Sequence, residues 1–143
     1  MVAVRRMERG DAGAVVELIE QLGYRRSAED VLAWIQAVQP ETQAAFVACV
    51  GDEIVGWIEV SLERRLQNAP FALIGGLVVR NGMRGMGIGR RLCEEAERWC
   101  VERGASTIRV TSRSTREDAH RFYLRDGYGL VKTSLVFEKQ LGE

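Results

Sequence analysis

The 143-residue sequence has no excess of either charge, because 20 lysine and arginine residues balance 20 aspartate and glutamate residues. A balanced charge gives no general attraction to nucleic acid or to an anionic membrane surface. The sequence also lacks any apolar stretch near the roughly 20 residues that cross a bilayer, and its first residues lack the apolar core of a signal peptide. These absences predict a cytoplasmic protein that binds neither nucleic acid nor a membrane.

Cysteine and histidine are scarce. The three cysteines, Cys49, Cys93 and Cys100, are odd in number and lie in apolar or helical surroundings, and His120 is the only histidine. None of them has the CxxC or Cys/His spacing of a metal site. We therefore expect reduced, structural thiols and no bound metal.

No linker, internal repeat or low-complexity segment interrupts the chain. Its length is usual for one domain. A hydrophobic content of 46% is ordinary for a globular protein with a buried core. The sequence therefore predicts a single domain over residues 1–143.

Hydrophobic periodicity predicts ten elements in the order β-α-α-β-β-β-α-β-α-β. The first helix is capped by Asp11 and ended by Gly23, and the second is capped by Ser27. Pro40 stops the second helix. The other two helices are expected at 88–103 and 117–125, and the strands at 2–6, 44–50, 54–62, 71–79, 107–112 and 133–141.

The passage from strand 71–79 through helix 88–103 to strand 107–112 is a βαβ unit. Its two strands should be parallel, with a right-handed crossover. The remaining strands are expected to be antiparallel. The predicted fold class is therefore mixed α/β, with a central, mostly antiparallel sheet that has helices on both faces.

Strand 54–62 is predicted to alternate between the two faces of the sheet. One face carries Ile54, Ile58, Val60 and Leu62, and the other carries Val55, Trp57, Glu59 and Ser61. A carboxylate therefore shares a face with an aromatic ring. Partial cover of that face would raise the pKa of the carboxyl group.

Glycine is concentrated in one loop between a buried strand and a helix. Gly85, Gly87 and Gly89 leave the backbone without Cβ atoms, so that a ligand can approach closely. Unpaired N–H groups and the positive end of the helix dipole meet at the same place. Residues 80–91 include four arginines and no acidic residue, which adds attraction for an anion. The pattern predicts a phosphate-binding loop.

Two nucleotide-binding motifs fail on spacing in this loop. A Walker A loop needs Gly-Lys-Ser/Thr, but Arg90 follows Gly89. The dinucleotide pattern GxGxxG fails from Gly85, because Arg90 stands at its third glycine position. It fails from Gly87 as well, because Leu92 stands there. On the loop alone, a glycine-rich connector with solvated arginines stays open as the alternative.

Two segments carry a pattern larger than the loop. The first is Arg84-x-x-Gly87-x-Gly89, with a strand before it (74–79) and a helix after it, and the second is AHRFYLRDGY at 119–128. Together they resemble the GNAT superfamily of acetyl-CoA-dependent N-acetyltransferases, which carries R/Q-x-x-G-x-G/A and A-x-x-F-Y-x-x-x-G-F/Y. The order of elements fits that family from residue 2 to residue 141. The resemblance implies a GNAT-like fold in which the parallel fourth and fifth strands splay apart.

In that family acetyl-CoA lies in the gap between the splayed strands. The resemblance implies that backbone groups of Leu77 and Val79 bind the pantetheine amides, as an added strand would. Relatives often have an asparagine that contacts pantetheine before the last helix; Arg113 or Ser114 takes its place here, and Ser114 is assigned to the cofactor site. The implied pyrophosphate ligands are Arg84 and the amides of Gly85, Met86, Gly87, Ile88, Gly89 and Arg90.

The resemblance also implies direct attack of an amine on the thioester, with no covalent enzyme intermediate. Tyr123 matches the tyrosine that protonates the CoA thiolate in many relatives; packing on the sheet is its alternative role. Many relatives have a strand-four glutamate as the base, but Gly75 and Gly76 stand there. Glu59 on the preceding strand is the predicted base, with a solvated side chain and deprotonation by water as alternatives. His120 is expected to be a packing residue.

The predicted function is transfer of the acetyl group of acetyl-CoA to a primary amine of a small molecule or peptide through a ternary complex. In relatives the loop between the first two helices, here 23–26, lines the acceptor site. Tyr24 would form an aromatic wall there, and two arginines favour an acceptor with a carboxylate. A homodimer is a further expectation. The alternative is a non-catalytic acyl-CoA-binding sensor; Tyr123 favours the enzyme, and the missing strand-four glutamate favours the sensor.

Overall fold

A central sheet runs through residues 2–110, and the first three helices connect its strands. The computed structural model describes residues 1–142, which form two compact units, Met1–Thr111 and the part from Ser112 onward. The strands are β1 (Val2–Arg6), β2 (Gln43–Val50), β3 (Glu53–Arg65), β4 (Asn68–Val79) and β5 (Ile108–Val110). The helices are α1 (Ala12–Leu22), α2 (Ala28–Ala37), α3 (Ile88–Glu102) and α4 (Glu117–Arg125), with a 3₁₀ turn at Arg9–Asp11.

The five strands lie in the order β1-β2-β3-β4-β5. Neighbours are antiparallel except for β4 and β5, which are parallel and pair residues 72–74 with 108–110. Because α3 connects these two strands, the predicted βαβ unit is present. The predicted mixed, mostly antiparallel sheet is confirmed.

Helices α1 and α2 cover one face of the sheet. Their stripes bury Val15, Leu18 and Val31 in one cluster with Val47 and Trp57 of the central strands. Burial of aliphatic side chains of this size stabilises a fold by about 1.5–3 kcal/mol each. Val15 and Leu18 are three residues apart, the spacing that places two side chains on the same side of a helix.

Helix α3 covers the opposite face and packs closely on β3. A Cβ atom built on Gly56 would lie 2.9 Å from Leu92 Cδ1 and 3.2 Å from Ile88 Cγ2. Gly56 therefore lets the helix approach the sheet, and any side chain there would push it away. Since successive strand residues point to opposite faces, and Trp57 points towards α1, the predicted helices on both faces are confirmed.

The predicted alternation of β3 is wrong at its start. Ile54 and Trp57 lie on the same face, in the cluster under α1. The pairing with β2 shifts between Ala48 and Cys49, so that Ala48 pairs with Gly56 but Cys49 pairs with Ile54. This bulge inserts one residue and reverses the parity of the strand.

Asp11 is buried and stands at the N-cap position of α1, as predicted, but its side chain makes no capping hydrogen bond to this helix. Its carboxylate accepts two hydrogen bonds of 2.8 Å from the Arg5 guanidinium and one of 2.7 Å from the Glu8 N–H. The hydrogen bonds from Arg5 hold the pKa of Asp11 below its usual range. The cap predicted at Ser27 is confirmed, because its Oγ accepts from the Asp30 N–H at 3.1 Å.

The second unit begins at Ser112 and contains α4 as its one helix within the described residues. Gly127 ends the helix as predicted, with a left-handed φ of 93°. The strand predicted at 133–141 is wrong, because residues 128–142 contain no helix, strand, turn or bend. A strand forms only where a neighbouring strand completes its hydrogen bonds, and the sheet of the described residues ends at β5.

Candidate active site

The loop that leaves β4 bends through three left-handed glycines before α3 begins. Gly82, Gly85 and Gly87 have φ angles of 86°, 82° and 78°. Gly87 is the N-cap of α3, and no side chain caps this helix end. The first N–H groups of α3 therefore have no side-chain acceptor, and they lie at the positive end of the helix dipole. Such an end attracts an anion.

Two of the four arginines near this loop are bound to other parts of the chain. The Arg80 guanidinium donates to Glu53 Oε2 at 3.1 Å and to the Ile54 carbonyl oxygen at 2.7 Å. Arg91 donates to the Val2 carbonyl oxygen at 3.1 Å. Both side chains therefore tie the loop and α3 to the sheet.

Arg84 is the loop arginine whose guanidinium remains available to bind an anion. Arg90 lies 4.0 Å from the Glu94 carboxylate along α3, whereas Arg84 is exposed and has no ion pair or hydrogen bond with any described residue. Of the predicted pyrophosphate ligands, Ile88 and Gly89 are buried, while Arg84, Gly85, Met86, Gly87 and Arg90 are exposed.

Beyond its short pairing with β5, β4 has an open edge. Only residues 72–74 pair with β5, so 75–79 has no strand on that side within residues 1–142. The pairing with β3 shifts at Gly75, because Glu59 pairs with Gly76 and the next residue, Val60, pairs with Ile74. The splay implied by the resemblance is present, and a bulge marks where it starts.

The bulge decides which backbone groups face the open edge. Before it, the Ala72 N–H donates to the Thr107 carbonyl oxygen on the β5 side. After it, the Arg80 N–H donates to the Val55 carbonyl oxygen in β3. Because N–H and C=O point in opposite directions across a trans peptide, the Val79 carbonyl points away from β3. With the alternation of a strand, Leu77 and Val79 both face the open edge.

Sequence reasoning missed one residue at this edge, Gln21 of α1. Its Nε2 donates to the Val79 carbonyl oxygen at 2.7 Å, and its Oε1 accepts from the Asn81 N–H at 2.9 Å. The amide therefore fixes the end of β4 and the first residue of the loop. No local sequence pattern indicates this role of Gln21, because its partners lie about sixty residues away in the chain.

The Glu59 side chain lies at the bulge of β4, beside Gly75 and Gly76, which have no side chains of their own. A Cβ atom on Gly75 would be 3.3 Å from Glu59 Oε2, and one on Gly76 would be 2.7 Å from the Trp57 ring. The two glycines therefore leave the room that these side chains fill. The Glu59 carboxylate, which comes from β3, therefore occupies the space that a side chain at position 75 of β4 would fill.

The Glu59 side chain is half-buried, and burial raises the pKa of its carboxyl group. Removal of water disfavours the charged form, which is why the shift is upward. A carboxylate with a raised pKa accepts a proton more readily than a solvated glutamate does, and this property suits a general base.

Glu59→Gln is expected to stabilise the fold at neutral pH and to lose that advantage in acid. With a pKa raised by folding, the contribution of Glu59 is most favourable below the pKa of the unfolded chain and is lost as pH rises through the folded pKa. The neutral amide avoids this loss. Thermal unfolding between about pH 4 and 8 should show a difference in Tm that grows with pH.

The exposed Glu41→Gln serves as the control, since it removes the same charge from a turn. Its Tm difference from the wild type should lack the upward trend with pH. A Glu59→Gln difference that shrank with rising pH would contradict the raised pKa.

Tyr123 lies on α4 in the second unit, between two aromatic neighbours. Its ring centroid is 5.3 Å from that of Phe122 and 5.7 Å from that of Tyr128, both in edge-on geometry. The Tyr128 N–H also donates to the Tyr123 carbonyl oxygen at 2.9 Å. Packing inside this unit therefore holds the direction of the half-buried ring.

His120 lies one turn before Tyr123, on the same helix. Its Nε2 is 2.8 Å from the Arg113 carbonyl oxygen, and the Arg116 N–H donates to the same oxygen at 3.0 Å. The histidine therefore fixes the turn before α4. Ser114 is exposed within that turn.

A cavity of about 660 Å³ opens at the loop between α1 and α2. It is lined by Glu20, Gly23, Tyr24, Arg25, Arg26, Ser27 and Asp30. Arg26 and Asp30 pair with each other at 3.8 Å. Glu20 and Arg25 have no ion pair within the described part of the chain, so the cavity offers one free charge of each sign.

The three cysteines are free and buried. Burial raises the pKa of Cys100 to about 12, so that this thiol stays protonated at neutral pH. These features agree with structural thiols. Residues 1–142 contain no group of three or more histidine, cysteine, aspartate and glutamate side chains that could hold a metal ion. In the same residues, every helix is too short or too polar to cross a membrane.

Comparison with known proteins places these features in a family. The sequence model described as "Acetyltransferase (GNAT) family" matches residues 13–128. The aminoalkylphosphonate N-acetyltransferase of Salmonella typhimurium is 40% identical over 77 residues, which are 53% of this chain and 50% of that protein. The match thus spans half the length of that relative.

Solved structures share the fold. A transcriptional regulator from Bacillus halodurans C-125 has a TM-score of 0.84 at 27% identity, over 97% of this chain and 100% of the other. The aminoglycoside N-acetyltransferase AAC(6')-Iy, solved in complex with CoA, has a TM-score of 0.86 at 16% identity, over 99% of this chain and 96% of the other.

The family match includes both segments on which the resemblance rested and covers most of the chain. The predicted family and the mixed α/β fold class are confirmed. Acetyl-CoA is the co-substrate that enzymes of this family use, in agreement with the predicted cofactor. This chain belongs to the acetyltransferase (GNAT) family.

Proposed function

We propose that this chain transfers the acetyl group of acetyl-CoA to a primary amine of a small molecule or peptide, by direct attack within a ternary complex. One observation carries the proposal. The bulge at Gly75 turns backbone groups of Leu77 and Val79 to an open strand edge, and that edge leads into the uncapped N-terminus of α3. An extended chain that ends in a pyrophosphate fits such a continuous site.

The site offers separate places for the two parts of CoA. The pantetheine amides would bind the backbone groups of Leu77 and the N–H of Val79, whose carbonyl already accepts from Gln21. The pyrophosphate would bind the amides of 85–90 and the available Arg84 guanidinium. A Cβ atom at Gly87 would meet no protein atom within 4 Å, so the space beside the loop is open to a ligand. We assign Ser114 to the pantetheine side on the family pattern.

Two side chains would act as the general base and the general acid of the reaction. Acetyl-CoA supplies the thioester carbonyl that the amine attacks. Glu59, whose pKa is raised by burial, would accept the proton of the amine, directly or through water. Tyr123, which stands at the tyrosine of the family motif, would protonate the departing thiolate. The presence of both groups favours the enzyme over a non-catalytic acyl-CoA sensor.

The cavity between α1 and α2 supports a zwitterionic acceptor. Glu20 would attract the ammonium group of the free acceptor, and Arg25 would bind an anionic group at its other end. The Salmonella typhimurium relative is named for aminoalkylphosphonates, which carry an amine and an anion in one small molecule. An acceptor of this class, with a phosphonate or carboxylate, is the one we propose.

Free-thiol release from acetyl-CoA across a panel of amines tests the activity. Aminoalkylphosphonates and amino acids should release thiol faster than amines of similar size that lack an anionic group. Arg25→Ala should reduce this preference, while Arg6→Ala, an exposed arginine outside the cavity, should not. Acetyl-CoA binding without turnover of any amine would overturn the enzyme in favour of the sensor.

Acetyl-CoA is expected to stabilise the protein against thermal unfolding, because only the folded state presents the loop amides together. At a ligand concentration 100-fold above the dissociation constant the gain should be about 2.7 kcal/mol. Pantetheine, which has no pyrophosphate, should give a much smaller shift at equal concentration. The absence of any shift with millimolar acetyl-CoA would overturn the assignment of the site.

We propose further that both units belong to one acetyltransferase domain, because the family match at 13–128 crosses the boundary between them. We also propose a cytoplasmic protein without nucleic acid or membrane partners; the balanced charge gives no general attraction to either of these polyanionic surfaces. A homodimer is the proposed assembly.

A further inference from the structure

Gln21, in the last turn of α1, binds the C-terminal end of β4 through its side-chain amide. Its Nε2 donates to the Val79 carbonyl oxygen at 2.7 Å, and its Oε1 accepts from the Asn81 N–H at 2.9 Å. One carboxamide therefore uses both of its polar atoms on backbone groups that lie two residues apart. All three residues belong to the first unit, and the two hydrogen bonds hold the half-buried side chain in one orientation.

These two hydrogen bonds have the pattern that one residue of a neighbouring parallel strand would make. In a parallel ladder, a residue donates its N–H to the carbonyl of one residue and accepts with its C=O from the N–H two residues further on. The Gln21 amide does the same with Val79 and Asn81. The side chain therefore takes the place of one residue of an added strand at the end of the open edge of β4.

The Gln21 amide also limits how far a ligand can pair along this edge. The groups proposed to bind pantetheine are those of Leu77 and the N–H of Val79. The next groups on the same edge, the Val79 carbonyl and the Asn81 N–H, are already bound to Gln21. They lie two residues further on, or about 6.6 Å at 3.3 Å per residue. An extended ligand therefore leaves the strand at Val79, just before the chain bends at Gly82.

We propose that Gln21 is a positioning residue for CoA, because its amide ends the pantetheine pairing at Val79 and holds the strand edge in a fixed relation to the pyrophosphate loop. The inference rests on the proposed CoA site. Between Val79 and Asn81, the Arg80 N–H donates to the Val55 carbonyl oxygen on the β3 side. Gln21 thus holds the same short segment from the opposite side. Two linked groups gain full affinity only where their two sites stand at the matching distance.

Helix α1 does not depend on these two hydrogen bonds for its own position. Gly23 ends the helix with a left-handed φ of 109°, and its N–H donates to the Glu20 carbonyl oxygen. Val15 and Leu18 bury the helix against the sheet. Loss of the Gln21 amide should therefore leave α1 in place and act on the end of β4 and the loop.

Gln21→Met tests the inference, because it removes both hydrogen bonds and keeps a side chain of similar length. Affinity for CoA should fall about tenfold, the usual net worth of one or two hydrogen bonds. ADP carries the pyrophosphate without pantetheine, and pantetheine lacks the pyrophosphate. The affinity for each of these fragments should stay within about twofold of the wild-type value, since neither has to reach both parts of the site. Calorimetry gives the CoA and ADP affinities, and competition against CoA gives that of pantetheine.

Gln36→Met is the matched control, because Gln36 is an exposed glutamine on the neighbouring helix α2. It should bind CoA like the wild type, and both variants should keep the wild-type circular dichroism spectrum. Unchanged CoA affinity in Gln21→Met would overturn the inference. An equal loss for CoA and for either fragment would overturn it too, since Gln21 would then shape only one part of the site. A wild type that binds neither CoA nor ADP would overturn the proposed CoA site itself, and this inference with it.

Discussion

Tyr123→Phe is expected to lower the rate of acetyl transfer by about 10²–10⁴-fold, the usual cost of losing a general acid. The substitution removes only the hydroxyl group, so the ring keeps its edge-on contacts with Phe122 and Tyr128. Folding and acetyl-CoA affinity should therefore change little. A fall in kcat and in kcat/KM without a change in acetyl-CoA affinity indicates an interaction made in the transition state.

Tyr128→Phe provides the matched control. It removes a hydroxyl group from the neighbouring ring, 5.7 Å away between centroids, and it should leave turnover near the wild-type level. Turnover is measured as free-thiol release with the best acceptor, and acetyl-CoA affinity by calorimetry. Full turnover by Tyr123→Phe, with chemistry shown to limit the rate, would make the tyrosine a packing residue and leave the proton to water.

Gly87→Val is expected to weaken CoA binding by about 100-fold or more. The valine side chain would project beside the N-terminus of α3, where the pyrophosphate is proposed to bind, and no protein atom fills that space. Loss of two charge-assisted hydrogen bonds costs about 3 kcal/mol or more, and each 1.4 kcal/mol is a factor of ten in affinity. Isothermal calorimetry with CoA gives the measurement.

The control must separate backbone strain from ligand contact, since Gly87 has a left-handed φ of 78°. Gly104 has a φ of 84° just after the opposite end of α3, also in open space. Valine at either position should cost about 1–2 kcal/mol of stability. Gly104→Val should nevertheless bind CoA like the wild type. Equal affinities for CoA in both variants would remove the pyrophosphate from this loop.

The sequence locates the proposed general acid, Tyr123, more directly than it locates the proposed general base, Glu59. Tyr123 stands within a contiguous motif, so its position on α4 followed from residues 119–128 alone. The sequence indicates Glu59 only as the nearest carboxylate on the preceding strand. Its position over Gly75 depends on the register between β3 and β4 and on the bulge there. Gln21, which binds the end of β4 from α1, had no local signal at all.

The two wrong predictions for strands have the same physical origin as the missed role of Gln21, because each depends on contacts between separate elements. The parity of β3 was wrong because the bulge opposite Ala48 depends on pairing with β2. The strand at 133–141 has a correct alternating pattern, but a pattern does not supply the neighbouring strand that its hydrogen bonds need. In both cases the outcome depends on pairing with a neighbouring strand, which the pattern of one strand alone does not specify.

The sequence by itself determined the helices, the order of the elements as far as α4 and the glycine loop before α3, because spacing, caps and left-handed glycines act over a few residues. It also determined the family, through two short motifs. Only the tertiary structure decided that Leu77 and Val79 face an open edge, that Glu59 covers Gly75, and that Arg84 is the arginine left available. Strand register and ion pairing join residues that are distant in the chain, and a shift of one residue in register reverses the face of every side chain.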